Sequence, residues 1–121
     1  MLADEVPIFQ QLAAQIAENI ATGVYPEETA VPSATEFAVF YQMNPATASK
    51  GVNLLVEQGV LYKKRGIGMF VATGARAQLQ ARRREEFRQR YLRPLLHEAR
   101  ILDIEPGDLH RMIDEEEEST S

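Results

Sequence analysis

Three features of the sequence predict a mainly α fold with one small β-hairpin. Apolar residues recur at helical spacing in successive segments before Gly59. A basic turn flanked by glycines then joins two short β-prone runs. From about Ala75 a charged helical segment carries an apolar stripe too wide for a lone helix. These features predict a winged helix-turn-helix over residues 1–74, a helical dimerisation arm over 75–114, and an acidic tail expected to be disordered over 115–121.

Residues 7–22 read as an amphipathic helix, with Ile8, Leu12, Ile16 and Ile20 four apart and Phe9 beside them. Pro7 suits the first helical position and Gly23 a left-handed stop, with Val24 placed for a hydrophobic closing contact. Two prolines and two glutamates mark 26–32 as a loop. Ser33 and Glu36 form a capping-box pattern that starts a short helix over 34–41, where Phe37, Ala38, Phe40 and Tyr41 supply bulk for the core. Asn44 and Pro45 begin the next helix, as cap and first turn; it runs through Val52, Leu55 and Val56 to Gln58, and Gly59 ends it. Only Gln42 to Asn44 separate the two helices, the spacing of a helix-turn-helix. Val60–Tyr62 and Met69–Val71 read as strands joined by Lys63–Gly68, a basic hairpin in the position of a wing.

In the arm, Phe87, Tyr91, Leu92, Leu95, Leu96, Ala99 and Leu102 cover about half of a helical circumference. Pro94 lies inside that stripe, which continues past it, so a kink is expected there. Asp103–Glu105 reads as a break before a last helix over 106–114, anchored by Leu109, Met112 and Ile113. An isolated helix pair cannot bury this surface, so a second copy of the chain is the expected cover.

Composition removes several function classes. There is no cysteine, so disulfides, thiolate catalysis and cysteine-ligated metals are excluded. No apolar run approaches a membrane span, Asp4 and Glu5 interrupt any leader-like start, and a cytoplasmic location is expected. His97 and His110 lack metal-ligand spacing, and no nucleophile–base set or phosphate-binding glycine loop is present. The expectation is a non-enzyme without metal or cofactor.

A helix-turn-helix reads DNA through the N-terminal end of its second helix. Here that end presents Asn44, Pro45, Ala46 and Thr47, with Ser49 and Lys50 on the next turn. Asn and Thr can cap the helix or bond base edges, Ala46 can meet a thymine methyl, and Lys50 can reach a phosphate. In the wing, Lys63, Lys64 and Arg65 stand beside Gly66 and Gly68, and serve either as a solubilising turn or as a backbone or minor-groove contact. The net charge of −5 weighs against strong non-specific binding. It keeps open the rival reading of a winged helix used for protein–protein contact. Arg76, Arg82, Arg83, Arg84, Arg88, Arg90 and Arg93 crowd the arm, as a solvated face or an anion surface. Arg84 and Arg88 lie on its apolar side, placed for a pair across a dimer or for a small acidic effector.

The segments PIFQQLAAQI, VPSATEFA, MNPATASKGVNLLVEQGVL and KKRGIGMFV resemble, in order and spacing, the N-terminal domain of the GntR family of bacterial repressors. The short helical C-terminus resembles the family's YtrA-type branch. The resemblance implies a homodimer on a palindromic double-stranded operator, acting as a repressor, and it brings Ser33 and Thr35 into the DNA-binding segment. Thr35 stands where family members usually carry arginine, and Pro45 and Ser49 where many do. Losing such an arginine removes about 1–3 kcal/mol of grip, so weak, salt-sensitive binding that relies on dimer avidity is expected.

Overall fold

The computed structural model describes residues 6–120. They form two compact units that divide between Arg82 and Arg83.

The first unit opens with α1 (Ile8–Ala21), whose buried face is Leu12, Ala13, Ile16 and Ile20. Pro7 is its cap rather than its first helical residue, and accepts hydrogen bonds from the Gln10 and Gln11 amides at 3.0 and 3.1 Å. Gly23, at φ +87°, makes the expected left-handed stop, but Val24 is exposed and closes nothing. The predicted loop contains a short strand, β1 (Ala30–Val31). It adds to the hairpin of β2 (Leu61–Lys64) and β3 (Gly68–Val71), giving an antiparallel sheet in the order β1-β3-β2. Two residues are too few to show strand alternation, and Val31 is recognisable only through its partner, Met69.

Between β1 and β2 lie α2 (Ala34–Phe40) and α3 (Pro45–Glu57). The α2 capping box forms as expected: the Glu36 amide donates to Ser33 Oγ at 3.1 Å and the Ser33 amide to Glu36 Oε1 at 3.0 Å. Only Phe37 and Ala38 of α2 are buried. Phe40 and Tyr41, expected in the core, are exposed, as is Val39. A two-turn helix offers one narrow inner face. Val39 and Phe40 rotate away from it, and Tyr41 lies at its margin with ring contacts to Phe37 and Phe40, at centroid distances of 6.2 and 4.8 Å.

The α1–α3 crossing depends on Gly51. A Cβ there would stand 2.8 Å from the Phe9 carbonyl oxygen and 3.2 Å from Leu12 Cδ2, so α3 meets α1 almost backbone to backbone. Ala48, Val52 and Leu55 pack around that contact and, with Phe37, Val60, Leu61 and Val71, form one core.

The helix α4 (Ala75–Phe87) begins inside this first unit, not beyond it, because Ala75 and Leu79 are buried in the same core. Its first turns also close the ends of two other helices. Arg76 Nε and Gln80 Nε2 donate to the Ala21 carbonyl at 3.1 and 3.3 Å. Gln78 Nε2 donates to the Gln58 carbonyl at 3.0 Å, and Arg82 Nη1 to Gln58 Oε1 at 3.0 Å. Free carbonyls at a helix C-terminus favour such cationic donors. Arg76 is therefore a structural cap and Arg82 ties α4 to the Gln58 side chain, roles that their place in an arginine-rich run concealed.

In the second unit, the helix passes Pro94 without breaking. A π-helical turn, Arg88–Leu92, precedes α5 (Arg93–Ile101), and the Arg93 amide donates to the Arg88 carbonyl. Widening the turn relieves the clash of a proline ring with the carbonyl four residues back. Asp103, at φ +57°, makes the expected break, and the Ile104 amide donates to the Ala99 carbonyl at 2.8 Å. The last helix, α6 (Pro106–Thr120), runs beyond residue 114, so residues 115–120 are helical where a disordered tail was expected; Ser121 lies outside the described residues. Glutamate is a good helix former, and Glu116 and Thr120 continue the face of Leu109, Met112 and Ile113 along a shallow groove with Leu95.

Candidate nucleic-acid interface

The helix-turn-helix presents the start of α3 to solvent because of its turn. Gln42 adopts φ +54°, and the Met43 amide donates to the Ala38 carbonyl at 2.9 Å. Asn44 then caps α3, accepting the Ala46 amide on Oδ1 at 2.8 Å. This cap uses the carbonyl half of the side-chain amide and leaves its two N–H donors for a ligand. Asn44, Pro45, Ala46 and Lys50 are exposed, and Thr47 and Ser49 half-buried.

Two further features of this face were not read from the sequence. Asn53 and Glu57 line an open groove with Ala46, Ser49, Lys50 and Leu54. The signal was available, because Asn53 lies seven residues beyond Ala46 and so on the same helical side. Lys50 Nζ rests 4.2 Å from the centroid of the Phe9 ring, a cation–π seat on α1.

At the start of α2, Ser33 and Thr35 are exposed. The Ser33 amide is already taken by Glu36. That amide and the Ser33 hydroxyl hold the Glu36 carboxyl below its ordinary range. Glu36 therefore keeps a carboxylate on the Ser33 amide beside the start of α2.

The wing splits its cations by strand alternation. Lys63 pairs with Met69 in the ladder, and Lys64 with Gly68. Lys64 Nζ lies 4.2 Å from the Phe70 ring centroid and 5.9 Å from that of Tyr62. Lys63 and Arg65 are exposed, as are Gly66 and Ile67; Gly68 is half-buried. Glu28 braces the wing's base. Its carboxylate accepts from Thr73 Oγ1 at 2.5 Å and from the Tyr62 hydroxyl, and its amide donates to the Val71 carbonyl at 2.8 Å. The Thr73 and Tyr62 hydrogen bonds hold the Glu28 carboxyl below its ordinary range, and the bond to Glu28 raises the Tyr62 phenol.

In the arm, Phe87, Tyr91, Leu92, Leu95, Leu102, Met112 and Ile113 are exposed, Leu96 is half-buried, and Ala99 and Leu109 are buried. Arg84 is exposed, and Arg88 pairs with Glu85 at 3.0 Å. Among the described residues, no group of three or more potential ligands could hold a metal, and no helix is long and apolar enough to cross a membrane.

No protein-family model matches the chain. Among solved structures, it is similar to a putative GntR-family transcriptional regulator from Bacteroides thetaiotaomicron, with 32 % identity and a TM-score of 0.76 over 94 % of this chain and 99 % of that one. It is 28 % identical over 109 residues to the transcriptional repressor YtrA of Bacillus subtilis, covering 90 % of this chain and 83 % of that protein. It is also similar to the DNA-binding domain of AraR in complex with an operator, with 28 % identity and a TM-score of 0.55 over 58 % of this chain and 84 % of that one.

Proposed function

Because the chain belongs to the GntR family of transcriptional regulators, we propose that it is a repressor that binds a palindromic operator as a homodimer. The start of α3 lies in the major groove, where the free amide donors of Asn44, with Ala46, Thr47, Ser49 and Lys50, meet base edges and phosphates. Pro45 sets the approach of that turn. Ser33 and Thr35 contribute hydroxyls to the backbone, and Lys63, Lys64, Arg65, Gly66 and Gly68 follow the adjacent groove. The open apolar face of the arm seats the second copy, and the regulator works in the cytoplasm. Arg84 and Arg88 stand open to solvent, as an acidic effector or a partner carboxylate would require.

The single observation that carries this reading is Asn44, whose carbonyl is committed to the cap while its donors make no hydrogen bond among the described residues. The experiment follows from that division. A duplex is first selected from a random pool by the wild-type protein. Asn44→Asp keeps the cap acceptor and favours the helix dipole, but removes the donors and adds a repelling charge. It should melt no lower than wild type yet bind the duplex at least about tenfold more weakly. Unchanged affinity would overturn the assignment of α3. A flat dependence of affinity on salt would overturn the phosphate contacts.

Val39 and Phe40, exposed on α2, favour a second reading as a protein-binding winged helix. Failure to select any duplex would turn the interpretation that way.

A further inference from the structure

We propose that Ile67, at the tip of the wing, enters the minor groove of bound DNA as an apolar wedge between base pairs. The inference rests on the DNA-binding reading above, which lays the wing along a groove, and adds to it an insertion of Ile67 between base pairs.

Ile67 is 74 % exposed on a hairpin tip. Its amide closes the turn on the Lys64 carbonyl at 2.9 Å, and it stands between Gly66 at φ +76° and Gly68 at φ +147°. Ile67 is the fourth residue of that turn, and Gly66 already fills its left-handed position, so the turn itself calls for no apolar side chain at Ile67. The hairpin's own stability supplies no reason for an isoleucine here. The tip is also slim. A Cβ added at Gly66 would meet nothing within 4 Å, and one added at Gly68 only an edge of Phe70 at 3.9 Å. One projecting apolar side chain on a narrow tip, with the exposed cations Lys63 and Arg65 close by, matches the shape of a minor groove and its flanking phosphates. Isoleucine is among the residues that wedge between base steps and kink a duplex.

Electrostatics make the same demand. Up to Gly74 the only cations are Lys50, Lys63, Lys64 and Arg65, against seven acidic residues. Two of the four, Lys50 and Lys64, rest over aromatic rings. A reading head so poor in free positive charge gains from a contact that salt does not screen, and apolar burial is such a contact.

The test uses the full chain and the duplex selected by wild type, labelled at its ends for energy transfer and carrying 2-aminopurine at successive steps. Ile67→Ala and Ile67→Lys change an exposed side chain, and equal melting temperatures confirm that both fold. Ile67→Ala should weaken binding about ten- to hundredfold at every salt concentration, leaving the salt slope unchanged. It should also reduce the bend and abolish the 2-aminopurine increase that reports unstacking. Ile67→Lys adds a charge for phosphate but should not restore either signal. Wild-type binding with an unaltered Ile67→Ala variant overturns the wedge alone. So does an Ile67→Lys variant that binds more tightly with the same bend, because the wing then follows the backbone. A wild-type chain that selects no duplex overturns the wedge and the DNA-binding reading together.

Discussion

In residues 6–82, Ile16, Ile20, Val52, Leu55, Val60, Leu61 and Val71 are sealed from water. In residues 83–120 only Ala99 and Leu109 are buried, while Phe87, Tyr91, Ile101 and Leu102 stay more than half exposed. Both regions are well formed helically, so the difference lies in what covers the apolar faces. The head covers its own with three helices, a sheet and the start of α4. The arm has too few elements to do so, and its stripe is the kind of surface that a second copy covers. The head thus buries its own apolar faces, and the arm leaves open the face on which the proposed second copy would pack.

The strongest way to break this contrast is to charge the arm. Leu95→Glu with Leu102→Glu should give a monomer by sedimentation and lower affinity for the selected palindrome by about 10²–10⁴-fold, the usual range of lost avidity. The head's melting transition should stay in place. A variant that remains dimeric and binds would sink the assignment of the arm.

The reciprocal change attacks the head from inside. Gly51→Val puts a branched side chain where even a Cβ meets the Phe9 carbonyl oxygen at 2.8 Å. Overpacking of this kind costs about 1–3 kcal/mol, read as a lower urea midpoint for the head, while an excised peptide is not needed because the full chain reports it. An unchanged midpoint would mean that α1 and α3 separate easily and that the head is less tightly built than its burial suggests.

These two regions also differed in how much the sequence disclosed. In the head, local chemistry identified the helices: Ser33 with Glu36, Asn44 with Pro45, and Gly59 each act through neighbours within a few residues. What stayed hidden depends on distant contacts. The strand at Ala30–Val31 exists through pairing with β3. Gly51 matters because α1 crosses there, Arg76 caps a helix 55 residues away, and Arg82 bonds the side chain of Gln58. Phe40 was misplaced because bulk suggested burial, while two helical turns offer only one inner face. The cap and solvent-facing start of α3 were legible at Asn44 to Ala46. Asn53 was readable from helical spacing but passed over, while the division of labour within the Asn44 amide and the exposure of Ile67 needed coordinates. In the arm, periodicity located the stripe, but the π turn before Pro94 and the helical course of 115–120 were settled by packing and propensity that no local signal separates from a kink and a tail.

A smaller effect is expected at the turn that aims α3. Gln42 holds φ +54°, a conformation that costs a side-chain-bearing residue about 1–2 kcal/mol and glycine almost nothing sterically. Glycine's greater freedom in the unfolded chain returns part of that gain. Gln42→Gly should therefore raise head stability by about 0.5–1 kcal/mol, seen as a higher melting temperature, with the arm's self-association unchanged. A lower melting temperature would show that the Gln42 side chain contributes more than its backbone strain removes.

The smallest expected effect concerns acid, and it belongs to the head. Glu36 is held below its ordinary range by the Ser33 amide and hydroxyl, and Glu28 by Thr73 and Tyr62. A carboxyl whose folded pKa lies below its unfolded one binds protons more readily when unfolded. Its contribution is complete above the unfolded value, about 4.3, and is lost as pH falls through the folded value. Both groups face water, so the effect is screened and modest. Glu28→Gln with Glu36→Gln keeps an acceptor for each donor, and glutamine serves in a capping box as glutamate does. The double variant should be modestly less stable than wild type near neutrality and converge on it below about pH 4, measured as urea midpoints along a pH series. Because Glu28 and Glu36 lie on the head, the same acid limb should appear in the Leu95/Leu102 monomer. An acid limb that vanished with dimerisation would place the sensitive carboxylates in the arm interface instead.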